Sequence, residues 1–170
     1  MPSARSAVVK GLVDCSATAN IFKIMTVLSD LSVELPPGWV ERPEPHGPKE
    51  YWATHDGSSG ILQVSELEPG DSSFLSTQAD LGALAHAMAL RLGAGGQNWG
   101  NPGPSKEGPC ALGRFGVSMF TGGQFPVMIL WITVSARSAF MWTWLGPDPT
   151  AEEVGQAFQL VLSARHRPSN

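Results

Sequence analysis

Apolar residues recur along this chain at two different periods, and the order of those periods predicts its architecture. At the amino end Val33 and Leu35 alternate with Ser32 and Glu34 until Pro36 and Pro37, which cannot donate to a ladder. This reads as a short edge strand over residues 33–39. Pro43, Pro45 and Pro48 then forbid helix, and the runs EYWATHD and ILQVSELE flank the turn GSSG. They give a second and a third strand of a meander.

The period changes at Leu81. Leu81, Leu84, Ala85, Met88 and Leu92 form one stripe at helical spacing, with Arg91 in the last turn and Gly93 in the place of a carboxyl-terminal cap. Residues 93–108 show neither period, which is the pattern of a long loop that is either functional or mobile. CALGRFGVSMF, FPVMILWITV and SAFMWTWL follow as three consecutive strands joined at TGGQ and SARS. In the final segment Thr150 and Glu153 have the spacing of a capping box. Val154, Ala157, Phe158, Val161 and Leu162 line one helix face, and Arg165, His166 and Arg167 stand where they complement the helix dipole before Pro168.

The predicted order is βββ-α-βββ-α, an α+β domain with a six-stranded, largely antiparallel sheet and two helices. The last two strands are apolar at nearly every position, so both faces need cover and the expected architecture is an α/β/α sandwich. One domain spans residues 32–167. Residues 1–24 lack a sustained period and are read as an amino-terminal extension, with Met25 as an alternative start.

Composition narrows the function classes. Only 11 Lys and Arg stand against 15 Asp and Glu, for a net charge of −4, so a nucleic-acid binder is not expected. The run from Phe125 to Leu145 is the most apolar, but SARS with Arg137 divides it, and it reads as a hairpin and not a membrane span. Cys15 and Cys110 show no metal-ligand spacing and are expected as unpaired thiols in the cytoplasm. No cofactor or metal is expected.

Two family resemblances lie on quotable residues. LPPGW, Glu41 and Arg42, the pair Tyr51 and Trp52, and His55 resemble the first half of a WW domain over residues 35–56. That resemblance implies a reader of proline-rich peptides at Tyr51 and Trp52. The second, ligand-stacking tryptophan of that family is replaced by Leu62, and the proline beyond it by Ser65. Over residues 32–165 the element order and the ELPPGW opening resemble the superfamily that groups PsbP-like proteins with Ran-binding import factors and bacterial adaptor relatives. It implies an α/β/α sandwich that binds other proteins and has no active site of its own.

Direct candidates for chemistry are few. His55 and Asp56 are adjacent and would serve a small hydrolase or transferase, but neighbours on a strand point to opposite faces. GSSG is a turn and not a nucleophile elbow. His46 lies in the proline-rich connection, His86 off the main stripe of its helix, and His166 at a helix end. Cys110 has no activating base nearby in sequence and reads as a buried strand thiol.

Among the six tryptophans, Trp131, Trp142 and Trp144 fall in the apolar hairpin and Trp39 and Trp52 in the meander. Trp99 stands apart in GGQNWGNPG, where it is either tucked onto the sheet or presented to a partner. The leading expectation is a non-catalytic protein- or peptide-binding domain, adaptor- or chaperone-like. Its contacts are Gln97, Asn98, Trp99 and Trp52, together with the edge at residues 33–39, through which a dimer could also form.

Overall fold

The computed structural model describes residues 22–25, 31–42, 49–52, 60–69, 80–94, 98–148 and 152–168. Two adjacent strands, β9 (Val127–Val134) and β10 (Ala139–Gly146), form the centre, and every residue in both is buried. They pair antiparallel, with Trp142 opposite Trp131 and Trp144 opposite Ile129. SARS makes their turn, in which the Ser135 amide donates to the Ser138 carbonyl at 2.9 Å.

Outside β10 lies β5 (Ile61–Pro69), then β4 (Lys49–Trp52) and β3 (Val40–Arg42). Outside β9 lies β8 (Gly113–Gly122), whose far side takes β6 (Gly100–Pro102) and β7 (Lys106–Cys110). Every pairing in the sheet is antiparallel. The expected meander, hairpin and α+β class are present. Five of the six expected strands correspond to β4, β5, β8, β9 and β10, the first is displaced to β3, and short segments raise the sheet to nine.

Three of the differences have clear causes. Residues 33–39 are not an edge strand: Pro36 to Trp39 form a tight turn in which the Trp39 amide donates to the Pro36 carbonyl at 3.1 Å, with Gly38 at φ 86°. Proline at the second and glycine at the third position specify a type II turn, so LPPGW encodes a corner and the edge strand begins at Val40. Immediately before it, β2 (Leu31–Ser32) pairs with β11 (Arg165–His166) in a separate two-stranded ribbon. Arg165 and His166 are therefore strand residues rather than complements of a helix dipole.

The amino-terminal boundary also moves. Strand β1 (Phe22–Met25) pairs with Glu66 to Pro69 of β5, so a boundary after residue 24 would cut through a strand of the sheet. The segment 93–108, expected as a loop without regular structure, contributes β6 and most of β7 to the β8 side.

One helix lies on each face, as the apolar hairpin required. Helix α1 (Leu81–Ala94) lies over β8 and β9 and buries Leu81, Ala85, Met88, Ala89 and Leu92 in one core with Phe120 of β8, Met128, Leu130 and Ile132 of β9, and Met141 and Leu145 of β10. Helix α2 (Glu152–Ser163) buries Val154, Ala157, Leu160 and Val161 against Val127, Ile129, Trp131, Phe140, Trp142 and Trp144. Alternate residues of the same two strands thus feed two separate cores, and each large side chain withdrawn from water contributes about 1.5–3 kcal/mol. The capping box of α2 rests on Thr150, outside the described residues. The start of α1 is capped by Asp80, whose Oδ1 accepts from the Ala83 amide at 2.8 Å. Glu107 of β7 accepts from the Leu81 amide at 3.1 Å and so ties the same helix start to the sheet.

Candidate partner-binding surface

Trp99 decides between the two arrangements the sequence allowed, and it is tucked in. It is 4% exposed and belongs to the core beneath α1, with Leu92 and Phe120 in the same cluster. The expectation that it is presented to a partner is corrected. The cause is Gly93, which is a residue within α1 and not a cap after it. A Cβ there would lie 2.6 Å from Trp99 Cδ1, so the bare glycine backbone forms the floor on which the indole rests. Its described neighbours Asn98, Asn101 and Pro102 are exposed, which accounts for their polar or turn-forming character.

Asn98 is exposed, and its side-chain carbonyl accepts from the Gly100 amide at 3.0 Å. Its backbone carbonyl accepts from the Gln124 amide at 2.6 Å, which pins it to the turn between β8 and β9. Asn98 is therefore a fixed surface residue near the carboxyl end of α1. Trp52 lies in β4, opposite Val40 on one side and Ile61 on the other. Gln97, His46, His55 and Asp56 fall outside the described residues. The edge bet at residues 33–39 is lost with the edge itself: Trp39 is buried, 5.8 Å from the Trp144 ring, and its Nε1–H donates to Gln156 Oε1 of α2 at 2.6 Å.

Three of the edge strands are poor templates for another chain. Strand β3 is three residues long with Glu41 and Arg42 exposed, β6 ends on Pro102, and β7 carries Pro109. Short length, charge and proline are the features that discourage edge pairing.

Among the described residues histidine meets serine at two places, His86 beside Ser118 and His166 beside both Ser135 and Ser138. His86 Nδ1 lies 3.1 Å from Ser118 Oγ, with the imidazole stacked 5.7 Å from the Phe120 ring, but Ser118 is fully buried. His166 Nε2 lies 2.9 Å from Ser135 Oγ. The same Oγ accepts from the amides of Arg137 and Ser138, both at 3.1 Å. Ser135 Oγ also lies 3.3 Å from the Ser138 carbonyl oxygen and 3.2 Å from Ser138 Oγ, which is itself 3.4 Å from His166 Nε2, so the two serines and the imidazole form one small network in the turn. That arrangement ties β11 to the β9–β10 turn. Partial burial pushes the Cys110 thiol up from its usual range, against two backbone hydrogen bonds that lower it, and so disfavours the thiolate. Among the described residues no group of three His, Cys, Asp or Glu could hold a metal ion. No helix among them is long and apolar enough to cross a membrane.

The most distinctive surface belongs to α1. Its outer side carries Ala83, Ala87 and Leu90, all exposed, with Leu90 at 51%. The 14-residue helix has no acidic residue in its first turn and one basic residue, Arg91, in its last. Helices that are apolar all round are ordinarily covered on every side. This face was legible in the sequence as the lack of Asp, Glu, Lys and Arg over residues 81–90, a signal separate from the buried stripe.

No protein-family model matches the chain, and no curated protein sequence matches it. Among solved structures, a protein of Bacteroides thetaiotaomicron aligns over 82% of this chain and 46% of its own at 14% identity and a TM-score of 0.40, too distant to carry an argument. The solution structure of PsbP from the cyanobacterium Synechocystis sp. PCC 6803 aligns over 87% of this chain and 94% of its own, at 10% identity and a TM-score of 0.57. At that identity the likeness is one of architecture: the antiparallel sheet with its two helices is a PsbP-like fold.

Proposed function

We propose that this chain is a non-catalytic protein- or peptide-binding domain of adaptor type, and that it binds through the outer face of α1 together with Asn98. The observation that carries this reading is the exposed apolar stripe Ala83, Ala87 and Leu90 on a helix whose only formal charge is Arg91. An exposed leucine flanked by alanines costs solubility unless a partner covers it. The rigidity of the support favours the same reading, since Asp80 and Glu107 fix one end of α1 and Trp99 packs against the other. A preformed helix face binds with little ordering cost, and amphipathic or apolar helix surfaces are a common mode of peptide recognition. The unpaired thiol of Cys110 is compatible with the reducing cytoplasm as its compartment.

The test compares two single substitutions at exposed helix positions, Leu90→Arg on α1 and Gln159→Arg on α2. Affinity recovery from native lysate should yield a partner with the unaltered chain and with Gln159→Arg, and lose it with Leu90→Arg. Equal recovery by both variants would overturn the assignment of the surface.

A further inference from the structure

We infer that the occupant of the α1 face is a second copy of this chain, packed antiparallel across a two-fold axis close to Ala87. The inference rests on the reading of α1 as the binding face and names its partner.

The geometry comes from helical spacing. At 3.6 residues per turn, Ala83, Ala87 and Leu90 fall within an arc of about 60°, a narrow seam along the outer side of α1. Asp80 and Arg91, both exposed, lie just beyond the same flank of that seam, about three turns apart along the axis. Among the described residues neither has an ion-pair partner; Asp80 uses one oxygen to cap the helix, and Arg91 makes no contact with a carboxylate.

Two identical helices packed antiparallel bring like flanks together. With the axis near Ala87, that residue faces its own copy, Ala83 faces Leu90 of the second chain, and Arg91 comes within about one turn of the second chain's Asp80. The length of an arginine side chain spans that offset. The contact repeats by symmetry, giving two ion pairs from a single pair of residues, as an isologous interface requires. A parallel arrangement would set like charges at the same height and leave both groups unpaired. Alanine at two of the three seam positions lets the helix axes approach to the short end of the usual 8–10 Å range. The antiparallel helix dipoles add to the preference. The sheet edges, with Pro102, Pro109, Glu41 and Arg42, offer no comparable match.

A pair of helices of this length makes a small contact, the class of interface that gives weak and transient complexes. Sedimentation velocity between about 10 μM and 1 mM should therefore show the average mass rising from monomer toward dimer, the window in which such affinities are read. Arg91→Glu places a carboxylate beside Asp80 of the other chain and should weaken association at least tenfold. Adding Asp80→Asn, which keeps a capping side chain but removes its charge, should restore part of the loss.

Orientation is tested separately by disulfide trapping with Cys15 and Cys110 both changed to serine. Ala87→Cys should link to itself, whereas Ala83→Cys should link to Leu90→Cys in a mixture faster than to itself. A monomer throughout the concentration range overturns the inference, as does a dimer indifferent to Arg91→Glu or an Ala83→Cys variant that prefers its own kind. If the chain stays monomeric while Leu90→Arg still abolishes recovery of a different protein from lysate, the face binds a hetero-partner and only the second-copy assignment fails.

Discussion

The two helices cover opposite faces of one sheet, yet they meet water in opposite ways. Helix α2 shows Glu152, Gly155, Gln159 and Ser163 to solvent and keeps Val154, Ala157, Leu160 and Val161 inside. Helix α1 is apolar inside, and its outer side exposes Ala83, Ala87 and Leu90 with Arg91 as its one formal charge. A sheet needs an apolar layer over each face, and the inner stripes of both helices meet that need equally. The outer side of α1 answers to no requirement of the fold, which is why function is sought there.

The helices also use glycine differently. Gly93 in α1 lies against the Trp99 indole, while an added Cβ at Gly155 in α2 would meet nothing within 4 Å. Between them Trp99 and Trp39 mark the two interiors. The Trp99 Nε1–H is buried without an acceptor, whereas the Trp39 Nε1–H donates to Gln156. On the α1 side the tryptophan acts as apolar volume, and on the α2 side a polar contact joins helix to core.

The sharpest break of this comparison is Trp99→Ala. It removes a buried indole beneath α1 and should lower the free energy of unfolding by about 3–5 kcal/mol, read as a reduced denaturant midpoint. An unchanged midpoint would place Trp99 back at the surface. Glycine-to-alanine substitutions come next and should have opposite signs in the two helices. Gly93→Ala crowds the Trp99 ring and should destabilise by about 1–3 kcal/mol. Gly155→Ala meets open space and should stabilise by about 0.5–1 kcal/mol through the better helix propensity of alanine. Thermal unfolding of the pair, side by side, settles both signs. A smaller effect is expected from Gln156→Ala, which leaves the Trp39 N–H without its acceptor at a cost of about 1–2 kcal/mol. A double-mutant cycle with Trp39→Phe should recover most of that cost, because the donor is then gone as well.

Much of the fold was legible because local pattern and tertiary need agree along β5, β8, β9, β10 and both helices. The continuous apolarity of residues 127–134 and 139–146 forecast the two-sided core. Proline was harder to read. LPPGW looked like a strand end, and its proline-glycine pair is instead the chemistry of a type II turn. The pairing of β1 with β5, of β2 with β11 and of β6 with β8 joins short segments far apart in sequence, and two or three residues carry no period of their own. The candidate site was legible in part. Asn98 is at the surface as expected, but the burial of Trp99 follows from an absent side chain at Gly93, which no periodic analysis records.

By itself the sequence determined the class of the fold, the positions of the two helices and the need for cover on both faces of the central hairpin. These follow from hydrophobic period, which is a local property. Only the tertiary structure decided that Trp99 is core, that Trp39 closes the α2 side, and that Ala83, Ala87 and Leu90 face solvent together. A helix with a single charge at its end has too little of a polar face to declare its orientation, so the sheet it packs against fixes which side is left over.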